Sequence, residues 1–470
     1  MKKIFLCAIS AALFASGCRK IVEDGETIVI NNPGGSNNTT GQTITLTGKI
    51  NKDTVLRANN TYLLEGMVYM TNNATLTIEP GTTIKGAYTA SKVGGLVITR
   101  GARINARGTA EKPIVFTSSA ASPHAGDWAG IVILGKAKVN ASYNGQAGLG
   151  EIEGGVNDAD GNGLYGGTDD TDSSGALQYV RIEYAGYAFL PDKEINSLTL
   201  GGVGNKTRID HVQVSYAKDD AFEWFGGSVN ASYLIAYRTQ DDDFDTDNGF
   251  SGKVQFGLVV RDSSVADISK SEAMESDNDA NGTSLTPQTS AVFSNLTLIG
   301  PKAALGNTGN SNYLAAVQIR RNSSISIFNS VILGWPIGVL IDGSKGRFTE
   351  LNIADSSLRI RNTIIAGCDA AVKYAANTST PSGKTDADML TWLNTPFFGN
   401  TIYSKVDDAR FVNPFQYTNP DYSPFGTSAA ATGASFADAK LSGMKSVTFR
   451  GAIAAAGEDA TWWKGWTKFN

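Results

Sequence analysis

Two acidic stretches, DDAFEWFGG at residues 219–227 and DDDFDTDNG at residues 241–249, align with each other at an offset of 22 residues. That offset is about one coil of a right-handed parallel β-helix, in which equivalent residues on successive coils stack about 4.8 Å apart. Phe222 would then lie one coil below Phe244, and both rings would face the core. The alignment therefore predicts an all-β, single-stranded solenoid.

Short strands of similar design recur along the chain. NLTLIG (295–300), NSVILG (329–334) and NTIIAG (362–367) each combine an Asn, a short alternating strand and a Gly. Stacked repeats bury a continuous core along one axis, and the recurrent Asn side chains would form an internal amide ladder at one corner. A β-propeller or jelly roll is the main structural alternative, but Asn-Gly and Asp-Gly pairs occur mainly inside acidic loops. We predict a parallel β-helix over residues 43–379.

The N-terminal segment differs from the repeats. Residues 1–17 have the basic start, apolar stretch and small residues of a secretory signal peptide. Ala15-Ser16-Gly17-Cys18 resembles a bacterial lipobox, so we predict that the signal is cut before Cys18 and that its thiol carries lipid. Residues 18–42 are polar and rich in Asn, Gly and Thr, which predicts a flexible tether.

The C-terminal segment also departs from the repeat. TDADMLTWLN is typical of a short helix with Thr385 as N-cap and Asp388 three positions later. We predict that residues 380–470 cap the open end of the stack. Cys368 alone remains in the body of the chain, so a structural disulfide is not expected. A net charge of -5 gives no indication of a nucleic-acid partner.

DDDFDTDNG places five carboxylates in nine positions, which repel one another unless a cation lies among them. In a strand, its alternating acids would share one face. Two further stretches fit D-x-D-x-N-G, the first half of a calcium loop, and hard oxygen ligands favour Ca²⁺. Solvated turn residues would explain the same pattern without a ligand. The predicted ligands of a structural Ca²⁺ form three clusters: Asp158, Asp160, Asn162 and Asp169; Asp243, Asp245 and Asp247; Asp277, Asp279 and Asn281.

A binding face for a glycan or an envelope protein is a second expectation. In the 22-residue register, the acids of the first stretch stack one coil below those of the second. Exposed aromatic rings stack on sugars, and Trp224 and Tyr187 are the candidates for surface display. The predicted ligand-binding residues are Asp219, Asp220, Glu223, Trp224, Tyr187, Asp241 and Asp242.

An enzyme is the alternative, because right-handed β-helices often host pectin lyases and polygalacturonases. Asp219 or Asp220 with Asp242 would supply the acid and base of an inverting hydrolase, about 6.5–9.5 Å apart. The chain has no Gly-His-Gly and no following Arg-x-Lys. His211 is expected to be a packed or surface strand residue, and Arg238 to neutralise the DDD acids by ion pairing. We therefore assign no catalytic residue and favour binding or scaffolding over glycan cleavage.

Several segments together carry a family resemblance: EYAG, GGVG, HVQVSYAKDDAFEWFGG, DDDFDTDNGFSG, ESDNDANG, SNLTLIGP and WWKGWTKF. They resemble a group of outer-membrane β-helix lipoproteins common in Bacteroidota, related to a leptospiral outer-membrane lipoprotein family. The resemblance spans nearly the whole mature chain. It implies a pectin-lyase-like fold, an N-terminal lipid and an outer-membrane location, for which we expect the domain to face the cell surface. It supplies no catalytic residue.

Overall fold

The computed structural model describes residues 41–89, 91–190, 193–302, 309–417 and 419–469, and the backbone of two strands at Arg19–Glu23 and Glu26–Ile30. The strands form three parallel sheets wound into a β-helix, which confirms the predicted fold class. Phe222 pairs with Phe244 in the predicted 22-residue register, and both rings are fully buried. The predicted signal peptide and Cys18 lie outside the described residues.

Each sheet is a stack of short strands, one from each coil. Sheet 1 contains Thr54–Leu56, Thr75–Ile78, Arg103–Arg107, the first halves of Gly175–Glu183, Arg208–Ser215, Asn230–Tyr237, Lys253–Val260 and Val292–Ile299, and then Ser326–Phe328 and Arg359–Arg361. Sheet 2 contains the first halves of Thr43–Ile50 and Thr61–Met70, Thr83–Gly86, Ile114–Ser118, the second halves of the five long strands of sheet 1, Val331–Leu333, Ile364–Ala366 and Thr401–Tyr403. Sheet 3 contains the second halves of Thr43–Ile50 and Thr61–Met70, Gly95–Ile98, Ile131–Leu134, Leu198–Gly201, Phe222–Phe225, Phe244–Asp247, Met274–Ser276, Ala315–Ile319, Ile337–Asp342 and Ala370–Ala375.

The remaining elements are short and lie outside the three sheets. The antiparallel pairs are Ser142–Tyr143 with Gln146–Ala147, Gly150–Glu151 with Leu164–Tyr165, Ala188–Leu190 with Lys193–Glu194, and Phe411–Asn413 with Asp421–Pro424. The α-helices are Leu351–Ala354 and Asp386–Leu393, and the 3₁₀ helices are Pro396–Phe398, Val406–Ala409, Ala429–Ala431, Ala439–Leu441 and Glu458–Ala460. No helix among the described residues is long and apolar enough to cross a membrane.

The corner between sheets 1 and 2 is built from residues with φ between 50° and 63°. These stacked residues are Tyr179, His211, Tyr233, Phe256, Asn295, Asn329 and Asn362. Among residues other than glycine, Asn tolerates this left-handed region best, which explains the recurrent Asn of the repeat. The predicted internal amide ladder is wrong, however. Asn295 Nδ2 donates to the carbonyl of Phe449 at 2.9 Å, and Asn329 Nδ2 to that of Ser435 at 3.1 Å, so both amides hold the C-terminal segment.

The C-terminal residues 380–470 fall into two parts that pack on different surfaces of the β-helix. The helix Asp386–Leu393 begins at Thr385, with the predicted capping box to Asp388, and its Met389 and Leu393 extend the core beyond the last coil. Residues after 405 instead run back along the outside of sheet 2. The outer face of this sheet is apolar and needs cover. Its Ile235, Leu258 and Ile299 pack in one cluster with Tyr422, Ile453 and Trp466.

Part of the predicted tether also forms strands. Arg19–Glu23 pairs antiparallel with Glu26–Ile30, which pairs antiparallel with Thr43–Ile50. The β-branched residues of ETIVI favour a strand over a flexible chain. These two segments of residues 18–42 therefore extend the sheet.

Candidate metal centre

The outer face of sheet 3 carries carboxylates on three successive coils. Glu223 pairs in register with Asp245, and Asp245 with Glu275. The side chains of a strand alternate between its two faces. Because Phe222 and Phe244 face the core, with ring centroids 5.6 Å apart, the acids one position further along point outward. They form a row that follows the axis of the helix.

A second row of carboxylates lies in the turn before each of these strands. Asp220 Oδ1 accepts the backbone N–H of Asp242 at 2.8 Å, and Asp242 Oδ1 accepts that of Glu272 at 2.6 Å. Each carboxylate therefore fixes the backbone of the next coil at the equivalent position. This row is a built feature of the fold rather than a set of freely moving surface acids.

Together with Asp219 and Asp241, the two rows form three groups of three carboxylates. Within each group, one oxygen per residue lies within 4.8 Å of the others. Two groups share Asp220 and form what we call the shared carboxylate cluster: Asp219, Asp220, Glu223, Asp241 and Asp245. The third group, the distal carboxylate cluster, consists of Asp242, Glu272 and Glu275. Ca–O distances of about 2.3–2.6 Å place opposite ligand oxygens about 4.6–5.2 Å apart, so this spacing suits Ca²⁺.

Burial makes these carboxylates hard to ionise. Asp220, Glu223 and Asp242 are buried. Desolvation raises the pKa of all three well above the usual range, and the neighbouring negative charges raise it further. The same causes raise the pKa of Asp241 and of Asp245 to about 7. Near neutral pH, the face therefore requires either protons or bound cations to offset its charge.

Arginine side chains neutralise acids next to the two clusters. Arg261 is fully buried, and its Nη1 lies 3.0 Å from Oδ2 of Asp243. Asp277 is held by Arg320 at 2.9 Å and by Arg321 at 2.5 Å. Of the predicted Ca²⁺ ligands, Asp243 and Asp277 are thus ion-paired in the structure. A cation at either position would have to displace an arginine.

The three predicted Ca²⁺ ligands of DDDFDTDNG therefore do not lie in one cluster. Of Asp243, Asp245 and Asp247, the structure brings only Asp245 into a group of three carboxylates among the described residues. Asp247 lies further along the strand, where its Oδ1 accepts the backbone N–H of Asn248 at 2.5 Å. Asp243 lies before the strand begins, so its side chain does not follow the alternation.

In the first D-x-D-x-N-G loop, residues 158–163, the aspartates are held by a lysine and by hydrogen bonds within the loop. Lys49 Nζ lies 2.8 Å from Asp158 Oδ2 and 2.5 Å from Asp160 Oδ2. Asn162 donates to Asp158 from its backbone at 3.2 Å and from its side chain at 3.0 Å. Asp169 instead accepts from Thr171 at 2.9 and 2.7 Å. In the part of the chain that the structure describes, these aspartates form no group of three carboxylates.

The second such loop is likewise held by local hydrogen bonds. Asp279 accepts the backbone N–H of Asn281 at 2.9 Å and both the backbone N–H and the hydroxyl of Thr283, at 2.9 and 2.8 Å. The Asn281 side chain is exposed. With Asp277 bound to arginines, the predicted ligands of this loop are not brought together.

The predicted aromatic display is wrong for Trp224. Its ring is fully buried and stacks on Phe250, with centroids 5.3 Å apart, because it shares the inward face with Phe222. Tyr187 is half-buried and meets Phe189 edge to face at 5.0 Å, and Phe189 is exposed. An aromatic pair is therefore available at the surface, but it is Tyr187 with Phe189.

His211 and Arg238 have structural contacts. His211 lies between the rings of Tyr179 and Tyr233, each with a centroid 4.4 Å away, so it is a packed residue as expected. Arg238 forms a salt bridge with Asp262. The expectation that Arg238 neutralises the DDD acids is therefore wrong.

Two acids of the face, Glu272 and Glu275, were not indicated by the 22-residue alignment. Phe244 pairs with Met274, an offset of 30 residues, because the loop between these coils is longer. SEAMESD at 271–277 does align with DDDFDTD at 241–247 once that longer loop is allowed. An acid, an inward apolar residue and a second acid recur at equivalent positions, which is the signal that would have found them.

Fold and site together define a parallel β-helix with a stacked carboxylate face. The family described as the pectate-lyase-like β-helix domain matches residues 48–395. Since the match covers more than half of the chain, this protein belongs to that family. No significant match was found among the curated proteins or among the solved structures.

Proposed function

We propose that this protein is a lipid-anchored β-helix protein of the cell envelope that binds Ca²⁺ on the outer face of sheet 3 and has a binding or scaffolding role. The observation that carries the proposal is the membership of Asp220 in two groups of three carboxylates whose oxygens lie within 4.8 Å of one another. Carboxylate oxygens are the ligands that Ca²⁺ prefers. A glycan or an envelope protein is the partner that we propose for this face.

Charge balance supports a cation at the shared carboxylate cluster. The nearby arginines pair with acids outside the cluster: Arg238 with Asp262, Arg261 with Asp243, and Arg320 with Glu275 and Asp277. The five carboxylates of the cluster therefore depend on another source of positive charge. Buried carboxylates of like charge this close together are stable only when protonated or when a metal ion lies between them.

Asp220→Asn tests the calcium proposal, since Asp220 belongs to both groups of the shared cluster. In the wild type, Ca²⁺ at about 100 times its Kd should stabilise the fold by about 2.7 kcal/mol. Asp220→Asn should lose the part of that gain that comes from the shared carboxylate cluster. Thermal unfolding with Ca²⁺, with chelator and with NaCl at matched ionic strength measures the effect. Asp158→Asn is the control, because Asp158 holds Lys49, and it should keep the Ca²⁺ response. A wild-type midpoint that chelator leaves unmoved would refute the proposal.

The lipid anchor is supported by the lipobox-like sequence before Cys18 and by the resemblance to outer-membrane lipoproteins of Bacteroidota, which also supports a surface orientation. Cys18→Ala should move the protein from the membrane fraction to the soluble fraction, because acyl chains supply the apolar area that holds such a protein. Cys368→Ala is the control, since that cysteine packs against the core, and it should stay with the membrane. Sedimentation of Cys18→Ala with the outer membrane would contradict the anchor.

A lyase or hydrolase acting on acidic glycans is the second candidate, favoured by the family to which the chain belongs. Asp219, Asp220 and Asp241 each place an oxygen within 4.8 Å of the others, closer than the roughly 6.5 Å that the two carboxyl groups of an inverting hydrolase need. The pairing of Asp219 or Asp220 with Asp242 stays a prediction. The wild type and Asp220→Asn should both leave polygalacturonate intact in the presence of Ca²⁺. Products that the wild type releases and Asp220→Asn does not would favour the enzyme.

A further inference from the structure

We infer that the distal carboxylate cluster is a second divalent-cation site, separate from the shared carboxylate cluster. Its three acids come from two coils: Asp242 and Glu272 occupy equivalent turn positions, and Glu275 points outward from the strand Met274–Ser276. Each offers an oxygen within 4.8 Å of the other two. The choice of Ca²⁺ as the ion rests on the proposed function, whereas the existence of the site does not.

A buried, unpartnered oxygen points to a ligand at this position. Glu272 is only 2% exposed, and among the described residues its Oε1 has no hydrogen-bond partner. Leaving a buried polar group unsatisfied costs about 1–3 kcal/mol, and more for a charged group. The backbone N–H of Glu272 donates to Asp242 at 2.6 Å, so the main chain that carries this side chain is fixed beside the other acids of the cluster.

The charges around the distal cluster leave room for one divalent cation. Arg320 binds Glu275 and Asp277, and Arg321 binds Asp277. These two arginines therefore offset these two acids. Asp242 and Glu272 remain, with two negative charges when both are ionised. One ion with charge +2 offsets both, whereas a monovalent cation would offset only one.

The ligands of the two clusters are distinct, so each cluster can hold its own ion. No residue of the distal cluster belongs to the shared cluster. The link between them is structural: Asp220 accepts the backbone N–H of Asp242 at 2.8 Å. Cations should therefore occupy successive coils along the same face, each bound by the side chains of two coils.

Counting bound ions tests the inference. We would measure Ca²⁺ per chain by equilibrium dialysis and elemental analysis for the wild type, Glu272→Gln and Asp220→Asn. Glu272→Gln should lose one ion per chain and keep those of the shared cluster, while Asp220→Asn should keep the distal ion. Glu350→Gln is the control, because Glu350 is also buried with an unpartnered oxygen but lies elsewhere. It should bind as many ions as the wild type.

Each outcome separates the inference from the proposed function. If Glu272→Gln binds as many ions as the wild type, the inference is wrong and the shared cluster stands. If Asp220→Asn loses no ion but Glu272→Gln loses one, the distal site stands and the shared cluster does not. If Glu272→Gln fails to fold, Glu275→Gln takes its place in the test, because Glu275 is only half-buried. Glu275→Gln should weaken Ca²⁺ binding at one site at least tenfold. An unchanged affinity in Glu275→Gln, or a wild type without bound Ca²⁺, overturns the inference.

Discussion

Replacing Arg261 with methionine should destabilise the β-helix by about 3–5 kcal/mol, because it removes one partner of a fully buried ion pair. Arg261 Nη1 lies 3.0 Å from Asp243 and 2.6 Å from the carbonyl oxygen of Asp241, and its guanidinium lies 5.0 Å from the ring centre of Tyr313. Burial raises the pKa of Asp243 to about 6, even though Arg261 acts in the opposite direction. Without the arginine, the carboxyl group would be buried with no positive partner.

Denaturant midpoints and a double replacement measure this effect. Arg261→Met/Asp243→Leu should recover most of the lost stability, because replacing both partners by apolar groups is often close to neutral. Arg57→Met is the surface control. Its salt bridge with Glu79 is largely exposed, and such pairs contribute about 0–1 kcal/mol. If the double variant is as unstable as Arg261→Met alone, the loss comes from packing and not from the uncompensated charge.

The register of the coils was predictable where two coils have equal length. DDAFEWFGG and DDDFDTDNG differ by 22 residues in sequence and pair at that offset in the structure. The strand alternation that places Phe222 and Phe244 inside also places Trp224 inside, so its burial followed from the same pattern. Trp224 was expected at the surface because acids lie next to it in the sequence, although its position in the strand places it on the inward face.

Other features depend on contacts that a local pattern does not contain. The pairing of Asp243 with Arg261 joins residues of different coils, and Lys49 reaches Asp158 across a large separation in sequence. These cations come from segments outside the acidic motifs, so motif spacing alone could not indicate them. The course of the C-terminal segment likewise follows from the apolar outer face of sheet 2, which exists only once the coils are stacked.

The protein without calcium should become less stable as the pH rises from about 4 to 8. The pKa of Asp241 and of Asp245 is about 7 in the folded state, against about 3.9 for an unfolded aspartate. The folded state therefore binds more protons in this range, and its stability is full below about pH 4 and declines as pH rises through 7. Each unit of pKa difference corresponds to about 1.4 kcal/mol. Asp158, with its pKa lowered to about 2, contributes stability that is lost only at lower pH.

Calcium should reverse this decline, because the ion and the protons neutralise the same carboxylates. At pH 8 added Ca²⁺ should raise the unfolding temperature by several degrees, whereas at pH 5 it should change the temperature little, since protons occupy the sites. Thermal unfolding in chelator and in Ca²⁺ across pH 5–8 measures both effects. Asp241→Asn/Asp245→Asn should reduce the pH dependence in chelator, because it removes two of the groups whose pKa is raised. An unfolding temperature in chelator that increases from pH 5 to pH 8 would show that the stacked acids are not what limits stability, and would leave the calcium proposal without its physical cause.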